Sequence, residues 1–268
     1  MKTQPWPIVP LAFVGFLLLP IYWLLAMAFK TDAETTKQLT LWSSHPTFDN
    51  FATIFTERDW WRGYVHAGIY VLMNVVLSIC IAIPAAYAFS RGKFPFQKPL
   101  FFSFLLFRLI APVILVVPFT EIFYDIGLFD THVAVALAHC YFNLPVAVWI
   151  LEGAISEVPF EVDQSALVDG YSLFAFFRRV MLPTIAPSIA VTAFFCFMFS
   201  WVEYVLAGAL TAVHTKPING IISRIGDIAE GDFGMLAAVS IIGFIPGLIF
   251  MLMVRRHLVE GFSLGRVR

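Results

Sequence analysis

Gln164-Ser165-Ala166-Leu167-Val168-Asp169-Gly170, followed after a short amphipathic run by Val180-Met181-Leu182-Pro183, lies between two long apolar segments. The segment 156–183 that contains it is acidic towards its start and basic towards its end, a pattern that favours two short helices joined by a turn. A hydrophobic chain that interrupts itself in this way presents a rigid element to the aqueous phase. We therefore expect a surface element that is attached to apolar helices on both sides.

The apolar segments on both sides are long enough to cross a membrane. Apolar residues make up 60% of the 268 residues and charged residues 13%, and the mean hydropathy is +0.83. A run of about 20 apolar residues spans the hydrocarbon core of a bilayer, and continuously apolar runs suit helices rather than barrel strands. The sequence therefore predicts an all-α integral membrane protein, a single domain over 1–268, with six transmembrane helices at about 8–29, 67–89, 100–123, 132–151, 185–210 and 236–254.

Basic residues concentrate in alternate loops. Arg91 follows the second predicted span, Arg178 and Arg179 precede the fifth, and Arg255 follows the sixth. By the positive-inside rule these loops, and with them both termini, are expected on the cytoplasmic side. An uncleaved first span is expected because its apolar run exceeds that of a signal peptide, with cleavage near Ala28 as the alternative. The net charge of −1 gives no indication of a nucleic-acid partner.

Residues 156–183 form the cytoplasmic helix-turn-helix that we predict between spans four and five. Pro159 suits a helix start, and Glu161 and Asp163 place negative charge in the first turn, where the helix dipole favours it. Gly170 can adopt the left-handed conformation that ends a helix. An ordinary cytoplasmic loop that happens to be helical is the alternative interpretation of this spacing.

A second short helix is expected after the turn. Ser172 can cap it, and Phe174 and Phe177 are predicted to pack inward. In the first helix, the small side chains of Ser165 and Ala166 would let another protein approach closely. The two helices are thus predicted to offer a docking surface.

A long, gapped motif runs through the same segment. Its positions are Ala166, Asp169, Gly170, Val180, Leu182 and Pro183. This motif resembles the cytoplasmic signature of permease subunits of binding-protein-dependent ABC importers. Further stretches resemble the carbohydrate branch of that family, specifically the maltose-type second permease. They are Ala86-Tyr87-Ala88-Phe89-Ser90-Arg91 with Phe94-Pro95, Asn143-Leu144-Pro145 continuing to Trp149, Ser200-Trp201-Val202-Glu203-Tyr204, and the tail after Leu258.

The resemblance implies a fold and a set of partners. The fold would be that of a type I ABC importer permease in the lipid of a bacterial cytoplasmic (inner) membrane. The partners would be a second permease subunit, an ATPase subunit dimer and an extracytoplasmic substrate-binding protein that delivers a sugar or polyol. ATP and Mg²⁺ would bind to the ATPase, so this chain would hold no cofactor or metal and would not be an enzyme itself. The residues implied in ATPase coupling are Glu161, Asp163, Gln164, Ser165, Ala166, Asp169, Gly170, Leu182 and Pro183.

Three positions depart from the family pattern: Gln164, Ser165, which stands for the first Ala of the signature, and Val202. Gln164 stands where the family usually has Glu, a residue thought to contact a basic residue of the ATPase. Because a neutral Gln can only hydrogen-bond, we expect Asp163 to supply the charge instead. Val202 replaces the Asn that is common between Trp and Glu on the fifth span.

Polar residues within the predicted spans are candidates for the substrate path, because burying them in a membrane is costly. Their amide, carboxyl and guanidinium groups could bind sugar hydroxyls, and aromatic rings could stack on a sugar. The candidates are Arg108, Asn74, Asn143, Trp201, Glu203 and Tyr204. Hydrogen bonding between helices, or an ion pair between Arg108 and Glu203, is the structural alternative.

Two other function classes give different expectations. A stand-alone secondary carrier would use buried Arg108 and Glu203 for ion coupling, but such carriers usually show more spans or inverted repeats. A membrane-embedded enzyme would need a catalytic pattern, and the six histidines form no metal-binding motif. The chain also has no Gly-rich loop ending in Gly-Lys-Ser or Gly-Lys-Thr, so we expect ATP hydrolysis to occur on a partner.

Overall fold

The computed structural model describes residues 8–31, 34–35, 40–218, 220–222 and 232–264, and the regular elements within those ranges are helical. The last turn of α4, Phe107–Leu109, is a 3-10 helix, and α8 contains a π-helical turn at Phe177–Met181. The helices are α1 (Ile8–Ala28), α2 (Asp49–Thr56), α3 (Arg58–Arg91), α4 (Gln97–Leu109), α5 (Pro112–Asp125), α6 (His132–Glu157), α7 (Phe160–Val168), α8 (Leu173–Thr184), α9 (Ala186–Val202), α10 (Val205–Ala209) and α11 (Phe233–Leu264).

Among the described residues, four helices are long and apolar enough to cross a membrane by themselves. They are α1, α3, α6 and α11. Two bent pairs meet the same criterion together: α4 with α5, and α8 with α9. Counting each bent pair as one span gives six spans, the number that the sequence predicts. The all-helical membrane fold is therefore confirmed.

The third predicted span, 100–123, is not one continuous helix. The axes of α4 and α5 meet at 93°. Proline explains the break: Pro112 lacks an N–H group and sits in the first turn of α5, and the preceding Ala111 takes an extended conformation with ψ 136°. Residues on both sides of this bend can therefore face a common space.

The fifth predicted span, 185–210, is also interrupted. The helix α9 ends at Val202, and Glu203 is extended with ψ 122° before the short α10 begins. The expectation of one helix up to Leu210 is therefore wrong. The cause is the Glu203 carboxylate, which accepts hydrogen bonds from the N–H groups of Leu206 and Ala207 at 3.0 and 3.3 Å and so caps a new helix.

The described residues divide into two compact units. The first comprises 1–64 and 218–246. In it the Asn50 side chain donates to the carbonyls of Ala28 and Lys30, both at 3.0 Å, and the Tyr64 hydroxyl donates to the Val239 carbonyl at 2.6 Å. These bonds fix the segment after α1 and the start of α11 within this unit.

The second unit comprises 65–217 and 247–268 and contains both regions that the sequence singles out. Its central helix is α6, which packs extensively against α9. This unit contains several buried polar side chains. They are Asn74, Ser78, His139, Asn143, Asp163, Thr192, Ser200, Thr211 and Thr215.

Candidate functional site

The helix-turn-helix at 156–183, called the coupling loop below, has the predicted local geometry. Pro159 directly precedes α7, and Gly170 takes a left-handed φ of +75° after it. The Ser172 hydroxyl accepts a hydrogen bond from the Ala175 N–H group at 3.3 Å and caps α8. The predicted turn and cap are confirmed.

The helix α7 has one exposed side and one buried side. Gln164, Ser165 and Leu167 are exposed, whereas Asp163 and Ala166 are buried. The two buried residues are three apart and therefore share a helical face. The expectation that Ala166 lies open to a partner is wrong, because its methyl group packs inside this unit. Of the remaining predicted coupling residues, Glu161, Asp169, Gly170 and Pro183 are exposed and Leu182 is half-buried.

One of the two aromatic residues of α8 that were predicted to pack inward, Phe174, does not. Phe174 is 76% exposed, and Phe176 is buried in its place. The ring centroid of Phe177 lies 4.9 Å from that of Tyr87 in an edge-on contact. Phe177 therefore packs against α3 as predicted, at the point where the π-helical turn begins, whereas Phe174 does not pack inward.

Asp163 faces the interior of the unit and contacts α3. Its carboxylate lies 3.0 Å from the Arg91 guanidinium and accepts a hydrogen bond from the Tyr87 hydroxyl at 2.7 Å. Arg91 also donates to the Val158 carbonyl at 2.7 Å. The prediction that Asp163 presents its charge to an ATPase is therefore corrected: this charge is neutralised within the chain.

A pocket of about 220 Å³ lies between α4, α5, α6 and α9. This central pocket contains three of the predicted substrate-path residues, Arg108, Asn143 and Glu203. The residues that line it are Arg108, Pro112, His139, Phe142, Asn143, Phe199, Ser200 and Glu203. The bend in the third span brings Arg108 and Pro112, from its two halves, to the same cavity.

Arg108 binds a backbone carbonyl and an aromatic ring, and no carboxylate among the described residues. It donates to the Phe142 carbonyl at 2.8 Å, and its guanidinium carbon lies 3.9 Å from the centroid of the Phe199 ring. Within the described part of the chain, the Arg108–Glu203 ion pair considered above does not form. The aromatic face and the carbonyl stabilise the positive charge.

Glu203 binds a residue that the sequence did not indicate. Its carboxylate lies 2.9 Å from His139 Nε2, and the other ring nitrogen, Nδ1, makes a short hydrogen bond with the Ser200 hydroxyl. His139 is buried, and its ring contacts Tyr70 edge-on with centroids 5.4 Å apart. In the sequence the six histidines are scattered and form no recognisable motif, so His139 was not predicted as a site residue. The available signal was spacing, because His139 and Asn143 lie four residues apart on one face of α6.

Two asparagines link the pocket to α3. Asn143 donates to the Asn74 side-chain oxygen at 2.6 Å and to the Cys196 carbonyl at 3.2 Å, and Asn74 donates to the Ala136 carbonyl at 3.0 Å. Asn74 therefore joins helices, as in the structural alternative. The Asn143 Oδ1 atom is buried and accepts no hydrogen bond within the described residues. A ligand hydroxyl is a chemical match for that acceptor.

The last two predicted substrate-path residues lie outside the central pocket. Trp201 stacks on Phe197 with ring centroids 5.6 Å apart and an interplanar angle of 9°. Tyr204 is 55% exposed and directly follows the break after α9. Neither residue is among those that line the cavity.

A third polar cluster lies in the loop between the third and fourth spans. The Asp130 carboxylate accepts hydrogen bonds from the backbone N–H groups of Ala212, Val213, His214 and Thr215 and from the Thr215 hydroxyl, over 2.7–3.2 Å. Burial alone would raise the pKa of this carboxyl, but these donors favour the charged form and lower the pKa well below its usual range. The cluster fixes the chain that follows α10.

The chain resembles known transport proteins over its whole length. The trehalose transport system permease protein SugB of Mycobacterium tuberculosis is 32% identical over 100% of this chain and 98% of the relative. The diacetylchitobiose uptake system permease protein DasC of Streptomyces coelicolor is 27% identical, with 98% of this chain and 96% of the relative covered.

A solved structure shares the fold. A chain from the crystal structure of a bacterial ABC transporter involved in the import of the acidic polysaccharide alginate superposes with a TM-score of 0.77 at 18% identity, covering 96% of this chain and 98% of that one. The family model described as binding-protein-dependent transport system inner membrane component matches residues 74–259. The chain therefore belongs to the family of inner membrane components of binding-protein-dependent transport systems.

Proposed function

We propose that this chain is a permease subunit of an ATP-driven ABC importer and forms part of the translocation path for a sugar or polyol. The observation that carries the proposal is the division of α7 into a buried side tied to α3 and an exposed side formed by Gln164, Ser165 and Leu167. A helix that is anchored on one side and open on the other suits a docking contact with a soluble ATPase. The likeness to SugB and DasC supports the carbohydrate class.

The central pocket supplies the chemistry for a polyhydroxy ligand. The Arg108 guanidinium donates hydrogen bonds, whereas the Glu203 carboxylate and the Asn143 side-chain oxygen accept them. Phe142 and Phe199 add apolar surface beside these groups. We assign the substrate contacts of this chain to these residues and not to Asn74, which joins helices, or to Trp201 and Tyr204, which lie outside the pocket.

The small volume of the pocket supports the proposal that a second permease subunit completes the translocation path. Its volume of about 220 Å³ lies below the range of roughly 300–1,000 Å³ that encloses most small ligands. Exposed apolar side chains on α5, including Val113, Ile114 and Val117, lie on the helix that contributes Pro112 to the pocket. A second subunit against α5 would complete the path as it covers these side chains.

We also propose how the chain is oriented in the membrane and which partner protein binds ATP or delivers the ligand. As a single permease domain over 1–268, the chain would sit in a bacterial cytoplasmic membrane with both termini inside, because Arg91, Arg178, Arg179 and Arg255 concentrate on that side. An extracytoplasmic binding protein would deliver the ligand, and ATP and Mg²⁺ would bind to the partner ATPase dimer. The coupling contact would involve Glu161, Gln164, Ser165, Asp169, Gly170, Leu182 and Pro183, with Asp163 and Ala166 supporting the loop from inside.

Reconstitution in vesicles tests this function. The chain is purified with its second permease and ATPase, and sugar uptake is measured with the capture protein outside and ATP inside. We expect uptake only when all components are present. Uptake by this chain without an ATPase would overturn the proposal in favour of a secondary carrier.

Two matched glycine variants test the loop itself. At both Gly170 and Gly153 an added β-carbon would meet no atom within 4 Å, but only Gly170 has a positive φ. Gly170→Val should therefore distort the turn and abolish ligand-stimulated ATP hydrolysis while the chain still inserts. Gly153→Val, within α6, should leave stimulation unchanged. Equal stimulation in both variants would contradict a role of this turn in coupling.

A further inference from the structure

The buried side of α7 is tied to two membrane helices by one group of polar contacts. This α3–α7 cluster comprises Tyr87 and Arg91 of α3, Asp163 of α7, and the carbonyl of Val158, where the chain leaves α6. Arg91 Nη2 lies 3.0 Å from Asp163 Oδ2, and Arg91 Nε lies 3.4 Å from Oδ1. The Tyr87 hydroxyl donates to the same Oδ1 at 2.7 Å.

Each member of the cluster lies at or near the end of a helix. Arg91 is the last residue of α3, and Tyr87 lies one turn earlier on the same face. Val158 directly follows α6, and Asp163 lies in the first turn of α7. The cluster therefore joins the ends of the second and fourth spans to the start of the coupling helix.

Burial makes the contact rigid. Only 12% of the Arg91 side chain and 5% of the Asp163 side chain are exposed. A buried ion pair that loses one partner leaves an uncompensated charge in a medium of low dielectric constant, which is strongly unfavourable. The two helices consequently cannot separate without a large penalty, and a displacement of α7 must be followed by α3.

Aromatic rings of α7 and α8 also pack against Arg91 and Tyr87. The Arg91 guanidinium carbon lies 5.8 Å from the centroid of the Phe160 ring, at the start of α7. The Tyr87 ring contacts Phe176 and Phe177 of α8 edge-on, with centroids 6.1 and 4.9 Å apart. Both helices of the coupling loop are therefore fastened to α3.

We infer that Arg91 and Tyr87 are positioning residues for energy coupling: they hold Asp163 so that a movement imposed on the exposed side of α7 is passed to the second and fourth spans. The inference rests on the proposed function, since it requires that an ATPase moves the coupling loop. It adds residues outside the motif, on a different span, to the coupling machinery. The departure at Gln164 does not affect it, because the Gln164 side chain lies on the exposed side.

The test uses the assembled complex and the ratio of ligand-stimulated to basal ATP hydrolysis. Asp163→Asn keeps the shape of the side chain but removes the charge opposite Arg91. We expect the ATPase to remain bound, basal hydrolysis to remain, and the ratio to fall by about tenfold, within the range typical of energetic coupling between sites. Asp163→Glu keeps the charge and should recover most of the ratio.

A matched control distinguishes pairing from charge alone. Glu157→Gln neutralises an exposed carboxylate six residues before Asp163, and this carboxylate is in no ion pair among the described residues. It should leave the ratio at the wild-type value. A purely structural role of the cluster would instead lower basal hydrolysis, stimulated hydrolysis and the yield of complex together.

Two further results with Asp163→Asn would also overturn the inference. One is a wild-type ratio in an intact Asp163→Asn complex, and the other is loss of the ATPase from that complex, which would make the cluster part of the docking surface only. If Asp163→Asn is not recovered as a complex, Tyr87→Phe decides, because it removes one hydrogen bond and keeps both charges. It should lower the ratio severalfold, and an unchanged ratio contradicts the inference. Absence of an ATPase from the wild-type complex would refute the proposed function instead.

Discussion

Two arginines in this protein are held in opposite ways. Arg91 has a complete set of partners: a buried carboxylate, a backbone carbonyl and an aromatic ring. Arg108 has a carbonyl and an aromatic ring but no carboxylate within the described residues, and it lines an open pocket. The first charge is neutralised inside the chain, whereas the second lines the central pocket.

The contrast indicates how a membrane protein can use costly charges. A charge whose partners are all internal fixes helices to each other, and its removal mainly affects rigidity and coupling. A charge with incomplete partners lies where a polar ligand can complete them. The same distinction holds for the carboxylates: Asp163 is fully engaged, whereas Glu203 contacts His139 and the end of a helix while it faces the pocket.

The largest difference is expected in stability. Asp163→Ala leaves Arg91 buried without a counter-charge, so the free energy of unfolding should fall by about 3–5 kcal/mol. Arg108→Ala removes one charged hydrogen bond and one cation–π contact but also relieves the desolvation of a cation, so its loss should be smaller. Thermal unfolding of both variants in detergent measures the order. Equal losses would remove the distinction between the two arginines.

For residues of the central pocket, we expect a large loss of transport. Glu203→Gln keeps the size of the side chain but weakens its bonds to His139 and to the N–H groups of α10. We expect the maximal rate of uptake to fall by about tenfold, equivalent to ~1.4 kcal/mol. Glu121→Gln, an exposed carboxylate on α5, is the control and should transport normally. Normal uptake by Glu203→Gln would exclude the pocket from the substrate path.

A smaller effect is expected when the charge of Arg108 is kept. Arg108→Lys retains a cation but loses the planar guanidinium that stacks on Phe199. The Km for uptake should rise severalfold while the unfolding midpoint changes little. A concentration series of capture protein loaded with sugar measures this change. An unchanged Km would assign Arg108 to packing between helices.

The smallest effect concerns acid pH and the loop cluster around Asp130. Its folded pKa is depressed, so its stabilising contribution is present above the ordinary carboxyl pKa of about 3.9 and is lost as pH falls below that value. The unfolding midpoint of the wild type should therefore decrease below about pH 4 more than that of Asp130→Asn. If the unfolding midpoints of the wild type and Asp130→Asn fall equally with pH, the proposed role of the Asp130 carboxylate in fixing the segment 212–215 is contradicted.

Local structure was the part most accessible from sequence. The turn at Gly170 and the cap at Ser172 depend on the residue itself and its nearest neighbours, and both are as predicted. The buried position of Ala166 and the exposed position of Phe174 were not foreseen. They depend on which side of α7 and α8 faces α3, and local spacing does not encode that side.

The polar partners were the least accessible part. Arg108, Asn143 and Glu203 were found because polar groups are rare in apolar spans, and all three line the central pocket. Their contacts were not predictable, since Arg91 and Asp163 are 72 residues apart and His139 and Glu203 are 64 apart. The break after Val202 was not predicted, because it depends on capping by the Glu203 side chain. The sequence does not show the orientation of that side chain.

Cross-linking from the exposed side of α7 tests the central claim most directly. In a Cys80→Ala background, Val168→Cys (87% exposed at the native Val) places a thiol on the coupling loop, and Val213→Cys (83% exposed) places one on the segment held by Asp130. With a short bifunctional reagent, Val168→Cys should cross-link to the ATPase in the assembled complex and Val213→Cys should not. Cross-linking of the ATPase through Val213→Cys but not through Val168→Cys would contradict the account.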